Sequence, residues 1–270
     1  MLNSTNMNSK INESEKVLET SRLSGKFSSP GVKISSCIRL ALGFAAAFSA
    51  GALRAQDCRV DLVIDMTDAG RALAQPTADS PAFYFPLAAG YREIGNIGKT
   101  SLQTSPPPAT VENLFFGALA ASNYRLLTKQ SAPTLLLIFE WGYIVPHVGR
   151  AVGAGGTTEL ADDSDETAAM TSIVGGDWLN SLPMDDVGSE SQVLLGAVKV
   201  PRYYVKITAL DFKSSMQKKR VVLWIARVST EAEGLSLADA LPTLISAAGP
   251  KFGKETVKPL LFAAPVIHGN

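Results

Sequence analysis

Residues 134–145 (TLLLIFEWGYIV) constrain the fold of this chain more than any other segment. The odd positions from Leu135 to Val145 are all apolar, and most of the even positions are apolar too, with Glu140 as the charged exception. A strand that is apolar on both faces is typical of the middle of a sheet that is covered on both sides. We therefore expect a sheet with this segment near its centre.

Hydrophobic periodicity predicts the remaining elements. Further strands or extended pieces are predicted at 59–66, 82–87, 124–127, 202–210 and 220–228, the last two as a hairpin around the polar turn 213–219. Helices are predicted at 111–122, 162–174 and 236–248, the first capped by Thr110 and ended by Asn123, the last interrupted by Pro242. Loops are predicted at 67–81, 90–108, 146–161 and 175–199. This order indicates an α+β two-layer sandwich over 56–270, with a mixed or mainly antiparallel sheet and helices on one face.

The first 55 residues have a different character. Residues 1–31 are polar, whereas 40–52 (LALGFAAAFSAGA) form an apolar run of 13 residues preceded by Lys33 and Arg39. As a helix this run would span about 20 Å, less than the roughly 30 Å of a bilayer core. Basic residues, a short apolar run and small residues up to Ala55 are typical of a secretory signal peptide, with a short buried helix as the alternative. We expect a signal at 32–55 that is cleaved after Ala55, and residues 1–31 to be a disordered or wrongly assigned extension.

Export would leave Cys58 as the single cysteine, because Cys37 lies in the signal. No internal disulfide is then expected, although the location would permit one. Cys58 is interpreted as a small apolar residue at the start of the first strand, with an intermolecular contact as the alternative. We expect a periplasmic or secreted protein without a membrane span after cleavage.

Composition argues against several functional classes. Lys and Arg number 25, as do Asp and Glu, so the basic excess of a nucleic-acid-binding protein is absent from the sequence. Two histidines and two cysteines are too few for most multi-ligand zinc sites, and no cofactor or metal is expected. Acidic groups at 162–166 and 185–186 lack the spacing of a calcium loop. Residues 95–100 (GNIGKT) lack the first glycine of a phosphate-binding loop.

One set of residues suggests nucleophilic catalysis. Ser236, Asp239 and His268 occur in the chain order of an α/β-hydrolase triad, and residues 234–238 (GLSLA) distantly resemble its G-x-S-x-G turn. Ser236-x-x-Asp239 also resembles a capping box, in which the serine accepts a hydrogen bond from a free N–H in the first turn. The cap is favoured, because a polar segment separates the serine from the preceding strand. Residues 215–218 (SMQK) match S-x-x-K but fall in the predicted hairpin turn.

Glu140 is the other candidate. A carboxylate on an apolar strand needs a partner, and Arg227 at the equivalent depth of the hairpin is the predicted one. A structural ion pair is favoured over a binding or catalytic role for these two residues. Trp141 and Trp224 are interpreted as core residues rather than a sugar-stacking surface.

The arrangement over 110–250 resembles a known class of domains. The helix ends in Asn123-Tyr124, residues 132–134 (APT) lead into the apolar strand, and the late hairpin carries 222–224 (VLW) before a closing helix. This is similar to small secreted or lipoprotein-type bacterial domains of unknown function, whose helix ends in Gly-Tyr and whose next strand opens with Pro-Asp. The resemblance implies an envelope location and supplies no catalytic residues.

Two functions follow from these observations. The first is a non-enzymatic exported protein that binds a protein or envelope component. The second is a secreted hydrolase that uses Ser236 or a carboxylate such as Glu140. A cluster of Ser236, Asp239 and His268, or Glu140 exposed in a pocket, would favour the hydrolase. A free sheet edge or apolar patch, with Glu140 paired to Arg227, would favour the binding protein.

Overall fold

The computed structural model describes residues 57–95, 104–146, 165–181 and 188–268. The strands are β1 Asp57–Met66, β2 Ala82–Ile94, β3 Tyr124–Leu126, β4 Leu135–Ile144, β5 Arg202–Asp211, β6 Val222–Glu231 and β7 Leu260–Pro265. The helices are α1 Asp68–Arg71, α2 Pro108–Ala121, α3 Asp165–Ser181, α4 Ser189–Ala197, α5 Phe212–Met216 and α6 Leu237–Ala248, followed by a 3-10 turn at Gly249–Lys251.

The seven strands form one sheet in the order β3-β2-β4-β5-β6-β1-β7. β2 pairs in parallel with β3 and β4, and every other neighbouring pair is antiparallel. The sheet is therefore mixed and is not closed into a barrel, which confirms the predicted α+β class. β4 lies inside the sheet, as its apolar pattern predicts, and β5 and β6 form the predicted hairpin.

One face of the sheet, here called the apolar face, contains the main core. Along β4 it presents Leu135, Leu137, Phe139 and Trp141, all buried. Helix α2 packs on this face through Val111, Phe115 and Leu119, and the ring of Phe115 stacks on that of Phe139 with 4.6 Å between centroids. Helix α6 adds a second buried apolar surface to the same core.

The opposite face, here called the charged face, also carries a helix. Strand residues alternate between faces, and α3 passes over the odd-numbered residues of β1: a Cβ on Gly176 would lie 3.2 Å from Val63 and 3.0 Å from Asp65. Ile144 and Tyr204 form a second, smaller core with residues of α3 and α4. The helices therefore cover both faces, whereas the sequence predicted them on one, because most of this second layer comes from residues 175–199 that were predicted to be loop.

Three other segments differ from the sequence prediction. β2 continues to Ile94, past Pro86 and Gly90, with a register shift between Ala88 and Gly90. β7 was not predicted from the sequence pattern. Helix α2 begins after Pro107, which makes no side-chain cap, rather than at Thr110. Its predicted end is confirmed, because Asn123 has a positive φ of 62°.

Several predictions fall outside the described residues: the signal peptide with its cleavage site at Ala55, the GKT segment and the acidic pair at 185–186. Among the helices that the structure does describe, none combines the length and apolar character needed to cross a bilayer.

Candidate functional site

Ser236, Asp239 and His268 lie together at the start of α6. Ser236 Oγ donates to Asp239 Oδ2 at 2.5 Å and accepts from the Asp239 backbone N–H at 3.1 Å. His268 Nδ1 lies 3.3 Å from the other carboxylate oxygen, Oδ1. The structure thus brings the three residues of the hydrolase hypothesis into one cluster.

The order of contacts in this cluster is that of a helix cap. In a catalytic triad the imidazole lies between the hydroxyl and the carboxylate, where it can take the serine proton. Here the Asp239 carboxylate lies between the other two groups, and the His268 side chain is 72% exposed. Ser236 satisfies an N–H in the first turn of α6, so the predicted cap is confirmed.

Glu140 has different partners from the one predicted. Its carboxylate accepts a hydrogen bond from Tyr204 Oη at 2.9 Å and lies 3.8 Å from Lys206 Nζ. Arg227 instead donates to Asp65 of β1. Burial and the negative charge of Glu140 raise the pKa of Tyr204, so its hydroxyl remains a donor.

The strand order explains this correction. β5 lies between β4 and β6, and Lys206 stands in register with both Glu140 and Arg227. The nearest cation to Glu140 is therefore on the first strand of the hairpin, and Arg227 faces the next carboxylate along the sheet. The sequence indicated a cross-strand pair but not which hairpin strand lies beside β4.

The charged face also holds a fully buried ion pair that sequence analysis missed. Arg202 and Asp61 are both 0% exposed, and Arg202 Nη2 donates to Asp61 Oδ2. Arg202 Nε donates to Ser229 Oγ at 3.1 Å, and Arg59 Nε donates to Asp61 Oδ1 at 3.0 Å. Arg202 Nη1 has no hydrogen-bond partner among the described residues. Desolvation lowers the pKa of Arg202, and Asp61 opposes that shift.

A signal for this pair exists in the first strand. Arg59, Asp61 and Asp65 occupy alternate positions of β1, opposite the apolar Val60 and Leu62. Such alternation usually marks a face exposed to water. The face is covered here by α3 and α4, so burial of the charges follows from helices that the sequence did not reveal.

The other sequence motifs have structural roles. Ser215 Oγ donates to the Asp211 carbonyl within α5, and Lys218 lies in an exposed turn with a φ of 62°. The S-x-x-K match is therefore part of the hairpin connection, as predicted. Trp141 and Trp224 are buried in the core, and Cys58 is a free, buried thiol on β1. Burial raises the pKa of that thiol.

The two outer strands of the sheet differ. β3 has three residues, one of them the charged Arg125. β7 has six residues, LLFAAP, and none is charged. Within the described part of the chain β7 pairs with β1 alone, so its other edge is a row of backbone groups available to a further strand.

The backbone groups on the outer edge of β7 can be assigned. The N–H and C=O of Ile64 both bond to Thr256, on the β7 side of β1. The backbone groups of alternate residues point to opposite sides of a strand. Phe262 therefore bonds to its partner Val60, whereas the N–H and C=O of Leu261 and Ala263 point away from β1.

Comparisons with known proteins identify no family. No family model and no curated protein matches the chain. A PDZ domain protein from Parabacteroides distasonis is similar with a TM-score of 0.38 and 9% identity, over 77% of this chain and 39% of that one. A PelC dodecamer from Paraburkholderia phytofirmans is similar with a TM-score of 0.31 and 12% identity, over 70% of this chain and 96% of that one. This chain thus spans 39% of the length of the first protein, and neither likeness carries an argument about function.

Proposed function

We propose that the protein is an exported, non-enzymatic protein of the bacterial envelope that binds a protein partner through the outer edge of β7. The partner contributes an extended segment that pairs with this strand. Main-chain hydrogen bonds give such β-strand addition its affinity, and alternate side chains give it specificity.

The open edge of β7 is the observation that carries this proposal. Leu261 and Ala263 direct two N–H and two C=O groups away from β1. Exposed edge strands are commonly protected by a charge or by their shortness, and β7 has six uncharged residues. Pro265 ends the row, because proline has no N–H to donate.

Export is supported by the sequence. The apolar run 40–52 follows Lys33 and Arg39 and ends in small residues. An intact mass of residues 56–270 in the periplasm or medium is the expected result for the native protein. A full-length mass in the cytoplasm would overturn the location and leave the β7 edge as a separate question.

The edge is tested by photocrosslinking in the producing cell. A photoreactive residue replaces Pro265, which is exposed at the end of β7. We expect a discrete adduct with one partner that is lost in Ala263→Pro, since proline removes an outward N–H without touching the β1 ladder. Ala263→Ser, which keeps the N–H, is the matched control and retains the adduct.

Two outcomes would overturn this proposal. An adduct that persists in Ala263→Pro would show that the contact does not use the backbone edge. An adduct of twice the mass of the chain would show that the edge pairs two copies rather than a partner. Equal melting temperatures of Ala263→Pro and Ala263→Ser establish that both variants are folded.

The proximity of Ser236, Asp239 and His268 favours the hydrolase as a second candidate. It requires His268 to move from Asp239 to Ser236 Oγ when substrate binds. Release of nitrophenol from short-chain esters, lost in both Ser236→Ala and His268→Gln, would support it. If Ser236 acts only as a helix cap, Ser236→Ala instead lowers the free energy of unfolding by about 1 kcal/mol and leaves any ester hydrolysis unchanged.

A further inference from the structure

A cavity of about 320 Å³ opens at one end of the apolar face. It lies where β1 runs into α1, next to the first residues of β4 and to the 3-10 turn after α6. Apolar side chains from several elements form most of its wall, among them Met66, Leu73, Pro76 and Leu135. Its volume is at the lower end of the range of small-molecule sites, which suits a molecule with one ring.

Two buried donors line this cavity. Tyr124 and Trp224 are 3% and 4% exposed, and their rings meet edge to face with 6.1 Å between centroids. No hydrogen bond joins the Tyr124 hydroxyl or the Trp224 indole N–H to another described residue, and both atoms are open to the cavity rather than enclosed in the core. Tyrosine and tryptophan in a protein interior normally find an acceptor, so a bound molecule can supply one here.

Gly253 allows the Tyr124 hydroxyl to lie directly against the backbone at the cavity. A Cβ at this position would lie 1.8 Å from Tyr124 Oη and 3.7 Å from Trp224 Nε1. Gly253 also has a φ of 72°, which side chains rarely adopt. Gln75 Nε2 donates to the Gly253 carbonyl at 2.7 Å and ties the loop after α1 to this wall. Both donors can therefore reach one small atom at the cavity.

The charges of the wall select against an anion. Burial raises the pKa of Tyr124 to about 12, so its hydroxyl stays protonated and neutral. Asp211 also lines the cavity, and hydrogen bonds from Ser214 lower the pKa of its carboxyl group, which remains ionised at neutral pH. An anionic ligand would meet this negative charge, and no lysine or arginine is among the described residues that line the cavity.

The geometry points to a binding site for a small, uncharged, single-ring molecule that carries a carbonyl oxygen. The ring occupies the apolar wall, and the oxygen accepts from Tyr124 Oη and Trp224 Nε1. The site is separate from the β7 edge and stands whether or not that edge binds a partner.

The test is a titration followed by the indole N–H resonances of Trp141, Trp178 and Trp224, with Trp224→Phe giving the assignment. Acetophenone is the probe. Ethylbenzene has the same ring and chain without the oxygen, and benzoate adds a negative charge. We expect acetophenone to shift the Trp224 N–H with saturation, and to bind more tightly than either control compound.

Tyr124→Phe isolates the contribution of one donor. Loss of one hydrogen bond to a neutral acceptor is expected to weaken acetophenone binding by about 3- to 10-fold and to leave ethylbenzene unchanged. Tyr91→Phe removes a hydroxyl that donates to Glu93 at 2.5 Å outside the cavity and is the matched control, with no expected change.

Three results would overturn the site. The Trp224 N–H could fail to shift up to the solubility of acetophenone, ethylbenzene could bind as tightly as acetophenone, or Tyr124→Phe could bind acetophenone as tightly as the native protein. The spectrum of each variant without ligand shows whether it is folded, so a loss of binding is not confused with a loss of structure.

Discussion

Both faces of the sheet contain fully buried residues, but those residues are held in place in different ways. On the apolar face, Phe139 and Val205 are 0% exposed and pack against α2 and α6. On the charged face, Asp61 and Arg202 are also 0% exposed, yet they are charged and paired. Strand β1 contributes to both, with Leu62 directed to one face and Asp61 to the other.

This difference teaches that burial alone does not indicate how a position tolerates change. Truncation of a buried apolar side chain lowers the free energy of unfolding in proportion to the atoms that are removed and the cavity that is left. A buried charge that loses its partner keeps the whole cost of its desolvation. We therefore expect a graded response on the apolar face and an all-or-none response on the charged face.

The largest effect is expected for Asp61→Leu. This change leaves Arg202 charged and buried, and the free energy of unfolding should fall by about 3 to 5 kcal/mol. Chemical denaturation measures the loss. The double variant with Arg202→Met should recover most of the lost stability, because both charges are then gone. A double variant as unstable as the single one would show that shape, rather than charge, governs this face.

A somewhat smaller effect is expected for Leu137→Ala on the apolar face. Leu137 is fully buried on β4, and its truncation should lower the free energy of unfolding by about 3 kcal/mol. Leu137→Met is the matched control, and its cost should be less than about 1.5 kcal/mol because it conserves volume. Equal losses in the two variants would remove the graded response that distinguishes this face.

Glu140→Gln should have a smaller effect, although it lies on the charged face. Gln keeps an acceptor for Tyr204 Oη, and the 3.8 Å contact with Lys206 is long. The expected loss is about 1 kcal/mol, and it should shrink as salt is added. Glu140→Ala, which removes the acceptor as well, is expected to cost more. A loss as large as that of Asp61→Leu would contradict the expectation that the Glu140–Lys206 contact stabilises the fold less than the Asp61–Arg202 pair.

The smallest effect at neutral pH is expected for Tyr124→Phe, below about 1 kcal/mol, because the hydroxyl has no protein partner to lose. At high pH this small difference shrinks and then changes sign. Burial raises the pKa of Tyr124 from about 10 to about 12, so the folded state holds the proton more tightly than the unfolded state. This contribution is complete below pH 10 and is lost as the pH rises to about 12. Tyr124→Phe should lose less stability than the native protein over that range, as measured by denaturation at fixed pH values.

Sequence periodicity predicted the elements whose own apolar residues form a recognisable pattern. β1, β4, the β5–β6 hairpin, α2 and α6 each have such a pattern. The Ser236 cap was also predicted, because it depends only on residues at the start of α6. β2 was predicted only in part, because Pro86 and Gly90 usually interrupt strands, whereas β4 supplies the neighbour that keeps this chain extended as far as Ile94. The uncharged β7 segment is short and has no alternation, so its strand forms through pairing with β1.

The charged face could be predicted less well than the fold. Arg202 and Asp61 are 141 residues apart in the chain, and nothing local indicates that they meet. The partner of Glu140 depended on which hairpin strand lies next to β4, which is a property of topology rather than of the sequence near Glu140. Trp224 was predicted to be a core residue and Tyr124 to begin a short strand, and only the position of Gly253 reveals the cavity beside them.

The position of β1 has a consequence for the order of folding. β1 lies between β6 and β7, and the contact of Arg227 with Asp65 joins residues 162 positions apart. Contacts of such long sequence separation form slowly, because a large loop must close first. Among the described residues, both neighbours of β1 come from the C-terminal part of the chain, so the pairing of β1 is expected to be a late step of folding.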